Sequence, residues 1–333
     1  MKEAAFYSSM VDRNVSCHLC PHHCVISHGK TGFCRVRKNN DGCLYSLVYA
    51  KPIAQSVDPI EKKPLFHFYP KSNTYSIATV GCNFHCLHCQ NADISQVKQG
   101  LYPSRDVSAK EIVDEAKKSK AKSISYTYTE PTIFYEYAFD IARLAHQNGL
   151  KNVFVTNGYI EKEPLKQIAP FLDAANIDLK AMSEEFYNKI CGAHLQPVLD
   201  AIKLYHELGI WIEITTLIIP GYNDDEDTLS KIATFIADID KNIPWHVTGF
   251  SPTYKLRDAV STPVSSLEKA VELGKKEGLH YIYQGNRGIG EDTFCSNCGM
   301  KLITRTGFFN SKILSKKGKC PTCGTSIAGV HIY

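Results

Sequence analysis

Cys82, Cys86 and Cys89 lie in one short run, Gly81-Cys-Asn-Phe-His-Cys-Leu-His-Cys-Gln-Asn91, with three and then two residues between successive thiols. Thiolates ligate iron and zinc, and a [4Fe–4S] cluster ordinarily takes four of them. A trio on one loop, directly after the apolar run Tyr75 to Val80, holds three irons and leaves the fourth without a protein ligand. Such an open corner is a place for a small molecule to bind. The other reading of these residues is a structural zinc knuckle completed by His85 or His88.

The chain has thirteen cysteines in 333 residues, most of them in three tight groups. Cys295 and Cys298 form one knuckle and Cys320 and Cys323 another, with two residues inside each pair. Two such knuckles can converge four thiolates on one ion, as in zinc ribbons and rubredoxin; zinc is the expected metal, with iron as the alternative. At the other end stand Cys17, Cys20, Cys24 and Cys34, flanked by His18, His22 and His23. Their spacing differs from the bacterial ferredoxin run, and both zinc and an auxiliary cluster fit it. Cys43 and Cys191 have no motif partner and read as buried thiols, although Cys191 follows the fourth expected strand closely enough to approach a substrate. Gly29-Lys-Thr31 mimics the end of a phosphate loop, but Cys24 stands where the first glycine belongs and no strand precedes it, so nucleotide triphosphate binding is not expected.

Composition narrows the class. With 38 basic and 34 acidic residues interspersed, the net charge is +4, which gives no electrostatic reason to expect a nucleic-acid partner. The first residues lack the apolar segment of a secretion signal, and the apolar stretch around Ile210 to Pro220 is broken by Glu213, Thr215 and Thr216, so no membrane span is expected. Clustered cysteines without such a signal point to metal binding in a reducing, cytoplasmic compartment. A hydrophobic content of 44% supports a full core and more than one domain.

Positioning these groups requires a scaffold. Apolar runs at Tyr75–Val80, Ser123–Tyr128, Asn152–Thr156, Ala174–Leu179, Trp211–Ile219, His246–Phe250 and Tyr281–Tyr283 read as strands. Ser108–Lys118, Ile133–Gln147, Leu195–Glu207, Thr228–Asp238 and Ser266–Glu277 read as helices between them. Repeated βα units imply an α/β fold with a parallel sheet curled into a barrel or partial barrel, although periodicity alone also admits an open doubly wound sheet. The expected division is a Cys/His-rich extension over 1–70 ending in an extended connector at Asp58 to Phe68, the partial barrel over 71–286, and a four-cysteine ribbon over 287–333. In a parallel barrel the active site gathers at the C-terminal strand ends, and these are polar here: the cysteine loop, Tyr128-Thr-Glu-Pro-Thr132, Thr156-Asn-Gly-Tyr159, Asp178-Leu-Lys180 and Phe250-Ser-Pro-Thr-Tyr254.

The cysteine spacing resembles the signature of radical S-adenosylmethionine (SAM) enzymes, and the barrel resembles their pyruvate formate-lyase activating-enzyme branch. The Cys-His-Leu-Cys-Pro-His-His-Cys segment, Asp58-Pro-Ile-Glu-Lys-Lys-Pro64, Tyr128 to Glu136, Val155 to Tyr159, Pro244-Trp-His246 and the four-cysteine tail are similar to the AmmeMemoRadiSam family over nearly the whole chain. That resemblance implies a six-unit partial barrel and a [4Fe–4S] cluster on Cys82, Cys86 and Cys89. It also implies SAM chelated at the free iron and cleaved to a 5′-deoxyadenosyl radical that takes hydrogen from a small-molecule, peptide or protein substrate. The implied partners are an electron donor such as flavodoxin or ferredoxin, together with Memo-like and AMMECR-like proteins; glycyl-radical installation is the alternative activity. A non-catalytic iron–sulfur and zinc-ribbon protein is the rival from another class.

Residue by residue, the resemblance places His88 near the adenine, where many relatives carry an aromatic residue. Glu130 falls where a Gly-Gly-Glu turn meets the SAM amino group, with the glycines replaced by Tyr128 and Thr129. Asn157 with Gly158, and Asp178 with Lys180, fall where polar groups face the ribose and methionine ends. Tyr254 lies near a position that is histidine in the activating enzymes. Taken singly, the Asn-Gly pair also reads as a turn and the Asp-Lys pair as a surface ion pair.

Overall fold

The computed structural model describes residues 1–97, 105–288, 290–315 and 317–332. Its centre is an eight-stranded sheet whose strands lie side by side in chain order. The first strand, β1 (Ala54–Pro59), runs antiparallel to β2 (Asn73–Ala78). From β2 onward every pairing is parallel: β3 (Ser123–Tyr126), β4 (Lys151–Thr156), β5 (Ala174–Asp178), β6 (Trp211–Ile218), β7 (Trp245–Gly249) and β8 (Ile282–Gly285). The edges are β1 and β8, so the sheet is a partial barrel.

Helices α1 (Ala109–Lys118), α2 (Tyr135–Gln147), α3 (Lys162–Ile168), α4 (Leu195–Glu207), α5 (Glu226–Ile239) and α6 (Val264–Lys276) connect the parallel strands. Local sequence fixes where they start. Ser108 and Glu111 form a reciprocal capping box on α1, and Asp225 accepts the Thr228 N–H at the start of α5. The apolar stripes of these helices cover the outer face of the sheet. Its other polar positions satisfy one another: Thr74 bonds Ser125, Thr215 bonds Asn176, and His246 bonds Glu213. No helix among the described residues is long and apolar enough to cross a membrane.

The expected strands and helices match to within a few residues, and two further elements take part in the sheet and its crossovers. The sheet begins at Ala54, inside the stretch assigned to the extension, and the expected connector starts as β1. Its sequence, Ala-Gln-Ser-Val-Asp-Pro, lacks an apolar run because it is an edge strand, where Pro59 costs no ladder bond. Helix α3 was not expected; it has only seven residues and includes Pro164.

The N-terminal residues form two small antiparallel sheets. They are tied to α2 through buried Arg37, which donates to Glu136 at 3.0 Å. At the other end, strands Thr293–Phe294, Lys301–Thr306 and Phe309–Ile313 make a third small sheet. It shares a core with the barrel: Leu302, Ile303 and Ile327 pack with Phe66, Tyr281 and Tyr283. Backbone bonds from Val330 to His67 (2.7 Å) and from Tyr69 to Val330 (2.8 Å) stitch the tail to the chain between β1 and β2.

Candidate active site and metal centres

Strand β2 delivers the cysteine loop to the C-terminal edge of the sheet, where Gly81 turns the chain with φ of +99°. A Cβ at Gly81 would lie 2.7 Å from Val36 Cγ1 and 3.0 Å from the Cys34 carbonyl, so only glycine lets this loop rest on the N-terminal lobe. The far side of the loop is zipped to the turn Tyr187–Cys191: His85 N–H donates to the Cys191 carbonyl at 2.8 Å and Leu87 N–H to the Ile190 carbonyl at 3.0 Å.

Donors converge on the sulfurs. The Phe84 N–H lies 3.3 Å from Cys82 Sγ, Asn157 Nδ2 lies 3.8 Å from the same atom, and Ser95 Oγ is 3.2 Å from Cys89 Sγ. Such contacts stabilise thiolates that bind metal and tune the ion they hold. Burial, with the nearby Glu130 charge, pushes the Cys82 thiol well above its ordinary pKa, so an uncompensated thiolate is disfavoured there. Neither His85 nor His88 joins the trio in a compact ligand set among the described residues. His85 instead stacks on Phe33 at 4.0 Å, and a zinc knuckle does not fit. The thiol trio and its donors fit a cluster with one open corner.

The strand-end residues close around this loop. Asn157, after β4, reaches Asn83 Oδ1 at 2.8 Å as well as the Cys82 sulfur. Its side-chain oxygen accepts the Tyr159 N–H at 2.9 Å. Gly158, at φ of +73°, lets the chain pass close to Ile177. After β5, Lys180 Nζ bonds Asp178 at 2.8 Å. Burial opposes the Lys180 charge, but Asp178, Cys86 and Cys191 outweigh it and hold its pKa up. A permanent cation therefore sits beside Cys86. Cys191, fully buried as expected for a thiol without a motif partner, shares that corner, next to Cys86.

Glu130 differs from an open carboxylate. It is 2% exposed, and Oε1 accepts from Thr132 N (3.0 Å), Thr132 Oγ1 (2.7 Å) and Thr156 Oγ1 (2.8 Å), while Oε2 accepts from Asn157 N (2.8 Å). Burial raises its pKa and these donors oppose the rise. Sequence reasoning missed this buckle because the donors come from residues that look like ordinary turn formers. The missing glycines have a local explanation: Tyr128 takes φ of +63°, and its hydroxyl donates to Asp58, which also binds Lys63 at 2.8 Å.

His88 is 4% exposed and its Nδ1 has no hydrogen-bond partner. Burial, and then the Lys180 charge, lower its pKa to about 3, so the ring is neutral and carries a buried polar atom aimed at no protein group. Tyr254 lies half-buried in a tight turn at φ of +50°, beside Lys255, whose N–H bonds the Leu87 carbonyl at 3.0 Å.

The tail cysteines form a different kind of site. Sγ of Cys295, Cys298, Cys320 and Cys323 all lie within 4.8 Å of one another, and the pairs Cys295/Cys323 and Cys298/Cys320 are 3.6 Å apart. Four ligands at the zinc–sulfur distance of ~2.3 Å on a tetrahedron stand roughly 3.8 Å apart, so the quartet fits one tetrahedral ion.

The Radical SAM superfamily profile matches residues 76–232, which run from β2 into α5. The uncharacterized protein MJ0808 of Methanocaldococcus jannaschii is 48% identical over 98% of this chain and 99% of its own. The pyruvate formate-lyase 1-activating enzyme of Escherichia coli strain K12 is 24% identical over 55% of this chain and 80% of its own. A radical SAM methyltransferase from Sphaerobacter thermophilus shares the fold, with a TM-score of 0.51 at 16% identity over 70% of this chain and 71% of that one. The chain belongs to the Radical SAM superfamily and is an enzyme related to the pyruvate formate-lyase activating enzymes.

Proposed function

We propose that Cys82, Cys86 and Cys89 hold a [4Fe–4S] cluster and that SAM binds between it and the ends of β3, β4 and β5. The observation that carries this reading is the convergence on one cysteine loop of Asn157 at the Cys82 sulfur and Lys180 beside Cys86. When bound, cluster and SAM supply one-electron reductive cleavage to methionine and a 5′-deoxyadenosyl radical that takes a hydrogen atom from the substrate.

The protein's own part is placement. Cys82, Cys86 and Cys89 anchor the cluster, and neutral His88 offers its unpartnered Nδ1 and ring face toward the adenine. Asn157 links the loop to β4, and Glu130 keeps one lightly used oxygen, Oε2, for the SAM ammonium while its other oxygen holds the strand ends together. Asp178, Lys180 and Tyr254 border the remaining space. The tail quartet holds zinc. An electron donor of the flavodoxin or ferredoxin type supplies the reducing equivalent.

The substrate class follows from the resemblance of the N-terminal and tail segments to the AmmeMemoRadiSam family. It is a molecule modified together with Memo-like and AMMECR-like proteins; installation of a glycyl radical on a partner enzyme is the second reading, favoured by the relationship to the activating enzymes. Anaerobically reconstituted protein with dithionite and SAM should release 5′-deoxyadenosine. Cys82→Ala, Cys86→Ala and Cys89→Ala should each abolish it; release at the wild-type level from all three variants would refute the assignment.

A further inference from the structure

The N-terminal cysteines are arranged unlike the tail quartet. Cys17, Cys20, Cys24 and Cys34 line one cavity, with Ile26, Phe33 and Ile133 among its walls. Yet among the described residues only the tail cysteines bring three or more ligand atoms within 4.8 Å of one another. One tetrahedral zinc ion requires that closeness, because every ligand touches the same small centre. A cubane spreads its thiolates much further apart, since four irons and four sulfides lie between them. The catalytic trio is likewise absent from the compact sets, so the N-terminal cysteines share with that loop, and not with the tail, the lack of a compact tetrahedral arrangement.

A second observation comes from Arg37, which also lines this cavity and is 2% exposed. Nη1 bonds Glu136 at 3.0 Å and Nη2 bonds the Ala5 carbonyl, but Nε has no partner. A buried, permanently charged donor left unpaired is costly, and an anionic group in the cavity would relieve it. A four-thiolate iron–sulfur cluster is anionic and accepts hydrogen bonds on sulfur. One such bond has its counterpart in the protein already, where the Phe33 N–H lies 3.4 Å from Cys24 Sγ.

We infer that Cys17, Cys20, Cys24 and Cys34 bind a second iron–sulfur cluster, a four-iron cubane rather than zinc, with the Arg37 Nε–H donating to it. The site abuts the catalytic loop: His22 Nε2 is 2.7 Å from the Asn83 carbonyl oxygen, Phe33 stacks on His85, and the Cys34 carbonyl bounds Gly81. All four ligands are supplied by the chain, so this cluster, unlike the catalytic one, has no corner for SAM.

The inference is independent of SAM chemistry, and metal analysis separates the two. Anaerobically reconstituted wild type should contain about eight irons and eight sulfides per chain and about one zinc, and the triple variant Cys82→Ala/Cys86→Ala/Cys89→Ala about four, four and one. A triple variant with no iron and about two zincs would overturn the inference, as would a wild type with about four irons and two zincs, a measurement that needs no variant. In the triple variant, adding Arg37→Lys keeps a cation for Glu136 but removes the Nε donor. The remaining cluster should then titrate, by electron paramagnetic resonance, at a more negative midpoint; an unchanged midpoint would remove Arg37 from the site.

Discussion

Glu130 Oε2 accepts the backbone N–H of Asn157 at 2.8 Å, and this bond fastens the end of β3 to the end of β4 beside the cysteine loop. Asn157 passes the constraint on, because its side-chain amide reaches both Asn83 and the Cys82 sulfur. One carboxylate thus helps fix where the Cys82 thiol stands, whatever else it touches.

Glu130→Gln should weaken this buckle. A glutamine offers one acceptor oxygen, and its amide must face either the three donors at Oε1 or the Asn157 N–H. Loss of a bond to a charged group costs about 1.5–3 kcal/mol. The variant should melt at a lower temperature than wild type and bind SAM more weakly in calorimetric titration, while keeping its iron. An unchanged melting temperature would show that the buckle contributes nothing to stability.

Gly81→Ala tests the contact between the cysteine loop and the N-terminal lobe. The new methyl would meet Val36 Cγ1 at 2.7 Å and the Cys34 carbonyl at 3.0 Å, at a φ that L side chains disfavour. Overpacking of this kind costs roughly 1–3 kcal/mol. Iron content after reconstitution should fall, and a variant that loads iron and melts like wild type would mean that loop and lobe are not held in register.

The barrel was legible in the sequence because its strands are buried, β-branched runs separated by helices with clear apolar stripes, as in Trp211–Ile218 and Glu226–Ile239. The tail cysteine set was legible because its ligand spacing is local. Long-range polar partners were not. The Tyr128 hydroxyl meets Asp58 across 70 residues and Arg305 meets the Phe66 carbonyl across 239, and neither pairing leaves a periodic trace. Strand Ala54–Pro59 was hidden for a related reason: an exposed edge needs no apolar alternation.

The Asp58 cluster should give the fold an acid-sensitive component. Burial raises the Asp58 pKa, but bonds from Lys63, Tyr128 and Lys62 outweigh it and hold it well below the usual 3.8. A carboxylate depressed in the folded state adds stability that is present above its unfolded pKa and is lost as pH falls through the folded one. The wild-type melting temperature should therefore drop as pH falls below the ordinary carboxylate value of about 3.9. Asp58→Asn should be less stable at neutral pH and show a shallower decline on acidification. Parallel melting curves for the two proteins across the acid range would exclude Asp58 as a source of that loss.

The tail separates metal binding from packing. Cys298 and Cys323 are exposed, whereas Cys295 and Cys320 are buried in the core shared with Phe66, Tyr281 and Tyr283. Arg305 adds bonds to the Phe66 carbonyl at 2.9 Å and to Thr293 at 2.6 Å. Cys298→Ser/Cys323→Ser should release the tail metal yet leave much of this packing, so reductive SAM cleavage should persist with a modest fall in melting temperature. Truncation before Phe294 strips the cover from three aromatic side chains, each worth about 1.5–3 kcal/mol when fully buried. It also leaves the buried network of Glu213, His67 and His246 at the solvent boundary. The truncated chain should melt far below the double serine variant. If the two melt together, the metal rather than the shared core holds the tail to the barrel.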